Sequence, residues 1–427
     1  MNNEKTKLAI NGGKKTISFN FSRYNTIGSE ETEAVNAVMQ SGVLSDFVGA
    51  PGANFLGGHQ VKLFESDFKS QFKVDNAISV NSWTSGLISA VGALGIEPGD
   101  EVLVTPWTMC ASAIAILHWN AIPVFVDIEA DTFCMDPTKI EAKISERTKA
   151  ILVVDIFGQS ADMDPILAIA KKHGLKVISD CAQSPGAEYK GKLAGTMADV
   201  GGFSFNYHKH IHTGEGGMIV TNDAVVSEKC QLIRNHAEAA IVNIPNADLT
   251  NMIGYNFRLG EIEAAIGVKQ LTKLPGAIAS RQKAGALLTE NLRGIDGLTT
   301  PVTRNGCTHV YYFYAMKHNA NLTGVSRDTI YEALVAEGVP LISKHYQNLH
   351  MLPMFLEKQC YGTKHFPWSL NESVDYTYGV GTCEVAERIN ASEYIGMFMC
   401  GSDYGDDEIN SVGEAFRKVY SNLDSLR

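Results

Sequence analysis

A chain of 427 residues, 45% hydrophobic and 19% charged, is too long for one small core and has the composition of an ordinary soluble protein of two domains. Its formal net charge of −11 argues against a nucleic-acid partner, because no basic excess is available to neutralise phosphates. No run approaches the roughly 18 apolar residues of a membrane span, the first ten residues hold no signal-peptide core, and the eight cysteines form no Cys-x-x-Cys pair. No membrane partner, reduced thiols and a cytoplasmic location are therefore expected.

In chain order, residues 1–30 read as a loosely structured lead-in. Ser29 is placed to cap a helix over Glu30–Met39. Residues 45–58 are rich in Gly, Pro and Ala and predict a long loop, a length that usually signals function. From residue 75 to 220 short β-branched apolar runs (77–80, 101–104, 122–126, 150–154 and 176–179) alternate with helical segments at 86–94, 111–119 and 165–173. That alternation predicts an α/β fold with a mostly parallel sheet covered on both faces. Ligands of such sheets collect beyond the carboxyl ends of the strands. A strand-like run from Phe203 leads through Lys209 to a glycine-rich turn and a further strand ending at Val220. Residues 250–295 read as helices closing a large domain over 31–295. A strand at 308–316 and helices at 327–337 and 407–420 predict a smaller α+β domain over 296–427.

The chemistry concentrates around Lys209. A lysine at a tight turn, with Asp180 ending an apolar strand, suits pyridoxal 5'-phosphate (PLP): the amine forms a Schiff base with the aldehyde, and the carboxylate keeps the pyridine nitrogen protonated. Alone, Asp180 is equally a helix cap, and Lys209 is equally a solvated surface residue. Gln183 is available to touch the ring or its phenolic oxygen. The turn Asn81–Gly86, with Thr84, offers hydroxyls and helix-start amides to a phosphate, and Ser204 adds a further hydroxyl. Trp107 and Met109 are candidates to cover the ring. His208, His210 and His212 alternate as metal ligands would on a strand. No carboxylate or cysteine completes a recognisable set nearby, so no metal is expected.

Taken together, these pieces resemble the PLP-dependent sugar aminotransferases of fold type I, a group that includes 3-amino-5-hydroxybenzoate synthase. The resemblance rests on Ala93–Val102, Pro123–Asp127, Gly158–Asp164, Asp180–Gln183, Phe203–Phe205, Lys209, Thr213–Gly217 and Gly254–Arg258. It implies a large domain built on a mostly parallel seven-stranded-type sheet. It also implies Lys209 as the Schiff-base lysine, Asp180 on the pyridine nitrogen, Gln183 at the ring, and Thr84 and Ser204 at the phosphate. Asn256 would reach the phosphate of a neighbouring subunit, making a homodimer with shared sites. His345 and Tyr346 match a segment near the substrate. Three departures stand out: Trp83 where relatives often have Gly, Met109 where an aromatic usually stacks, and a longer 45–58 segment.

The implied reaction moves an amino group from a donor, expected to be glutamate, to a keto or aldehydo sugar. His208 and His210 border the lysine, and Arg258 is available to an acidic substrate, as Arg234 and His236 are; salt bridging suits each arginine and His236 equally. The pattern of Trp83 and the histidine-rich lysine segment points within the group to the C8 aldehyde of oxidised Kdo, giving an 8-amino sugar for lipopolysaccharide. The alternatives are a nucleotide-linked keto-sugar aminotransferase, a PLP-dependent sugar dehydratase (that branch has His in place of the lysine), and a non-catalytic PLP-binding regulator.

Overall fold

The computed structural model describes residues 7–427, with Asn243 described by its backbone alone. Its centre is a seven-stranded sheet of β1 (Asn76–Val80), β2 (Glu101–Val104), β3 (Ile122–Phe125), β4 (Thr148–Val154), β5 (Lys176–Asp180), β6 (Val200–Ser204) and β7 (Gly217–Thr221). The order is β1-β7-β6-β5-β4-β2-β3. β7 pairs antiparallel with β1 and β6, and the remaining pairs are parallel. β2, β4, β5 and β7 are buried almost end to end, as Val/Ile/Leu-rich strands are when helices cover both faces. The helix Trp83–Ala93 is apolar on every side and buried for ten of its residues, which commits it to one face of the sheet.

A second, antiparallel sheet joins Leu298–Thr299, Phe313–His318, Tyr394–Phe398 and Ile342–Ser343. Its core of Leu334, Ile395, Met397, Ile409 and Phe416 is separate from that of the large sheet. One helix, Glu261–Leu292, serves both regions: Ala264 and Leu271 pack with Phe64 and Phe68, whereas Leu288 and Leu292 enter the second core. The sequence predicted several helices here, but the structure has one, carried through Pro275.

Four further expectations are corrected. Residues 1–6 of the lead-in lie outside the described residues, and the rest is not loose. Leu8 and Ile17 are buried in the second core, Glu337 accepts from the amides of Ala9 (2.8 Å) and Thr16 (2.9 Å), and Tyr24 donates to the His210 carbonyl at 2.7 Å. A buried carboxylate supplies the order that the local sequence does not advertise. The strand expected at 308–316 starts only at Phe313, because Tyr311 turns the chain with φ +50°. The run after Phe203 leaves the sheet at Ser204, and residues 205–216 form a loop closed by Phe205 N–H on the Gly216 carbonyl and Thr213 N–H on the Phe205 carbonyl. The first helix spans Ser29–Ser41 and is capped by Gly28, whose amide donates to Glu31 at 2.7 Å, rather than by Ser29. Residues 45–58 contain neither helix nor strand.

Candidate active site

The parallel strands deliver their carboxyl ends to one edge of the sheet, where Asp180 closes β5 and Ser204 closes β6. Lys209 follows in the loop between β6 and β7, and Ser82–Thr84 opens the helix after β1. Lys209 is 7% exposed and Asp180 4%. Each feels the other: Asp180 draws the amine's pKa upward and Lys209 draws the carboxyl's downward. Burial dominates both. It lowers the Lys209 ammonium from 10.5 to about 8, and it raises the Asp180 carboxyl against the hydrogen bonds that oppose it.

Asp180 is held by three donors: Trp83 Nε1 (2.8 Å) and the Ala182 amide (3.1 Å) on Oδ1, and the Ser112 hydroxyl (2.8 Å) on Oδ2. Neutral donors around a buried carboxylate favour its charged form and fix its plane. Trp83 reaches it because the sequence leaves room. A Cβ on Gly202 would stand 1.9 Å from the indole, and one on Gly86 2.5 Å. Gly202→Ala is therefore expected to overpack this layer, costing about 1–3 kcal/mol and pushing the indole off Asp180. Urea unfolding of the variant against wild type measures that loss.

Gln183 accepts from the Phe157 amide at 2.8 Å, so its NH2 must face the other way, and it donates to the Tyr346 hydroxyl at 3.1 Å. Burial pushes the Tyr346 hydroxyl up to about 12, so it stays neutral. Trp107 is fully buried, stacked on Phe133 and bonded to Asn348 at 2.6 Å, which commits its indole to the core beneath Tyr346. Met109 is 60% exposed. Thr84 and Ser204 are half-buried, and Ser204 Oγ accepts from the Asn206 amide at 3.3 Å.

The three histidines do not converge. His208 meets Tyr312, His210 meets the Val310 carbonyl, and His212 Nδ1 accepts from the Gly214 amide. Asn256 is exposed and accepts from Arg258 Nε at 2.7 Å; its carbonyl accepts from the Asn81 side chain at 3.4 Å. His345 is exposed. Arg234 is fully buried on Glu65 (2.7 Å) and the Ser79 carbonyl, which removes it from substrate binding. His236 lies 3.4 Å from Glu238.

Sequence reasoning missed Ser112 and Tyr312. Ser112 sits inside an apolar helix, and Tyr312 inside what reads as a strand, so neither carried a local signal. The donor set suits PLP in chemistry: a buried amine of lowered pKa, a buried carboxylate already gripped on both oxygens, and hydroxyls at a helix start.

Comparison with known proteins agrees. The model of the DegT/DnrJ/EryC1/StrS aminotransferase family matches residues 25–375. GDP-perosamine synthase of Caulobacter vibrioides is 37% identical over 70% of this chain and 79% of its own. A putative L-glutamine:3-amino-2,3-dideoxy-scyllo-inosose aminotransferase of Streptomyces kanamyceticus is 32% identical over 98% of each chain. Among solved structures, an aminotransferase from Psychrobacter cryohalolentis superposes with a TM-score of 0.80 at 28% identity, covering 95% of this chain and all of its own.

Proposed function

The chain belongs to the DegT/DnrJ/EryC1/StrS aminotransferase family, whose enzymes depend on PLP, and from that premise we propose that it moves an amino group from glutamate to a keto or aldehydo sugar. The observation that carries the reading is the pairing of a buried Lys209 amine with a buried Asp180 carboxylate at the carboxyl edge of the sheet.

Bound PLP supplies a ring that withdraws electrons from the carbon losing its proton. The chain's own residues do the rest. Asp180, with its carboxylate plane fixed by Trp83 and Ser112, would accept a charge-assisted hydrogen bond from the ring N–H and so keep that nitrogen protonated. Thr84, the amides opening its helix, and Ser204 would hold the phosphate. Gln183, its carbonyl held by the Phe157 amide and its NH2 on the Tyr346 hydroxyl, would lie beside the ring. Lys209 would hold the cofactor through its amine, and the same Nζ, once free, would be the group placed to accept and return a proton. The presence of Lys209 rather than His favours amino transfer over dehydration.

The same proposal includes a homodimer in which Asn256 serves the neighbouring subunit's phosphate. Asn256 is exposed, and in the chain segment leading to it Val242, Leu249 and Ile253 are 76%, 70% and 62% exposed, apolar side chains that a second copy would cover. The proposed boundary between large and small domains after residue 295 follows the helix Glu261–Leu292, which serves both cores, and free cysteines throughout suit a reducing cytoplasm. No helix among the described residues is long and apolar enough to cross a membrane.

For the acceptor we take a terminal sugar aldehyde, the C8 aldehyde of oxidised Kdo, on the pattern of Trp83 and the histidine-rich lysine loop. A panel settles it: the aminated cofactor, generated with glutamate or glutamine, is mixed with that aldehyde and with GDP-, UDP- and TDP-linked keto sugars. Return of the original visible spectrum with one acceptor identifies it. A response to nucleotide-linked sugars alone overturns the Kdo reading, and a silent panel in which glutamate releases no 2-oxoglutarate and glutamine no 2-oxoglutaramate overturns amino transfer.

A further inference from the structure

Lys209 has a neighbour whose role the reaction above leaves open. Its Nζ lies 3.4 Å from the Tyr312 hydroxyl and 4.4 Å from the centre of the same ring. No other side-chain hydrogen bond of this amine is present among the described residues. The Tyr312 hydroxyl in turn lies 2.7 Å from His208 Nδ1. Tyr312 is 5% exposed, whereas His208 is half-buried and adjoins the exposed Tyr207, so the line of three groups runs from the buried amine towards solvent.

Hydrogen-bond chemistry gives the line a direction. An ammonium only donates, so the Tyr312 oxygen must accept from Lys209. That leaves its single hydrogen for His208 Nδ1, which accepts only in the neutral imidazole with its proton on Nε2. Burial holds His208 at about 4 and Tyr312 well above its ordinary value, so both stay neutral at working pH.

We propose that Tyr312 and His208 form a proton exit from the Lys209 amine, a role that rests on Lys209 being the residue that captures the cofactor. In one concerted transfer, an N–H proton of Lys209 passes to Tyr312 Oη and the Tyr312 proton passes to His208 Nδ1. His208 then releases its Nε2 proton to water. Tyr312 is again a neutral phenol, now carrying the hydrogen that came from the amine; His208 is left as its Nδ1–H tautomer, the amine has lost one proton, and solvent has gained it. Tyr312 acts directly on the reacting nitrogen, and His208 acts through Tyr312.

Several other groups face this line. Asp180 and the Cys400 thiol lie near the amine, and His210 sits on the same loop, bonded to the Val310 carbonyl. Tyr207, Tyr346 and Cys400 surround Tyr312, and Arg281 lies beyond Cys400 and His210. None of them is hydrogen-bonded to the Lys209 amine, so among the described residues the exit has one first step.

The test uses protein freed of cofactor, rapidly mixed with PLP, following the visible absorbance of the lysine-linked form across pH and in D2O. Tyr312→Phe keeps the ring against Phe313 and Phe398 and is expected to slow capture roughly 10²-fold, the low end of general acid–base effects, with full final absorbance. His208→Ala is expected to slow it as well and to recover with added neutral imidazole, which a packing role would not allow. Unchanged rates in both variants, or slowing that imidazole does not touch, overturns the relay.

A second measurement needs no cofactor: competitive acetylation of Lys209 across pH, read by mass spectrometry. Losing the Tyr312 acceptor destabilises the ammonium, so in Tyr312→Phe labelling sets in at lower pH even as capture slows. An unchanged midpoint overturns the relay. Wild-type protein that never acquires the absorbance counts against the cofactor reading, and the acetylation midpoint still decides the contact between Tyr312 and Lys209.

Discussion

Lys209→Ala is expected to abolish the visible absorbance of the lysine-linked cofactor and to reduce amino transfer by ~10⁴-fold or more, since both the nucleophile and the proton carrier are removed. Spectra of the purified variant with added PLP, and release of 2-oxoglutarate from glutamate, measure the two losses. The variant is not expected to be a damaged protein. The native amine has a pKa of about 8 against an ordinary 10.5, so below pH 8 native and unfolded chains are both protonated and the native one holds a buried charge. Between 8 and 10.5 the unfolded chain binds the extra proton, and stability rises with pH across that window. Lys209→Met, which fills the same space without the charge, is therefore expected to make cofactor-free protein more stable by on the order of 3 kcal/mol below pH 8. The gain should fade by pH 10.5. Urea unfolding of both proteins at pH 7 and pH 10 shows whether the gap closes. A gap of equal size at both values would mean that the amine is not desolvated by the fold.

What the sequence disclosed followed physical locality. The parallel sheet was legible because β2, β4 and β5 are continuous apolar runs, and their pattern allows little else. Asp180 was legible because a strand end is a position defined by the run before it. Ser112 was not, because its one chemical act, donating to Asp180 at 2.8 Å, spans 68 residues of chain and leaves no trace in its apolar neighbours. Tyr312 was hidden in the same way. A run of aromatics reads as strand, and only the turn at Tyr311 and the loop holding Lys209 bring its hydroxyl to the amine. The ordered lead-in escaped notice because its anchor, Glu337, lies more than 300 residues away. Trp83 was visible as an oddity in a phosphate turn. Its purpose became clear only with Gly202 and Gly86, whose missing side chains make the slot it fills.

Asp180→Asn is expected to leave a folded protein that binds PLP but turns over ~10³-fold more slowly or worse, about the loss seen when a preorganised electrostatic partner is removed. The amide oxygen of Asn can still accept from Trp83 Nε1 and the Ala182 amide, and Ser112 can turn its hydroxyl towards Thr108, 2.9 Å away. The surroundings are therefore satisfied, and what is lost is the negative charge that keeps the ring nitrogen protonated. Asp180→Ala separates the two roles. It strips the same charge, and it also removes the acceptor to which the indole N–H of Trp83 makes its one hydrogen bond among the described residues. A buried donor without a partner costs about 1–3 kcal/mol. Both variants should thus lose turnover alike, while only Asp180→Ala loses stability, and adding Trp83→Phe to Asp180→Ala should restore part of it. Turnover and urea midpoints for the three proteins test the scheme together. If Asp180→Asn kept its rate, the carboxylate would not be the partner of the ring, and the assignment built on β5 would fall with it.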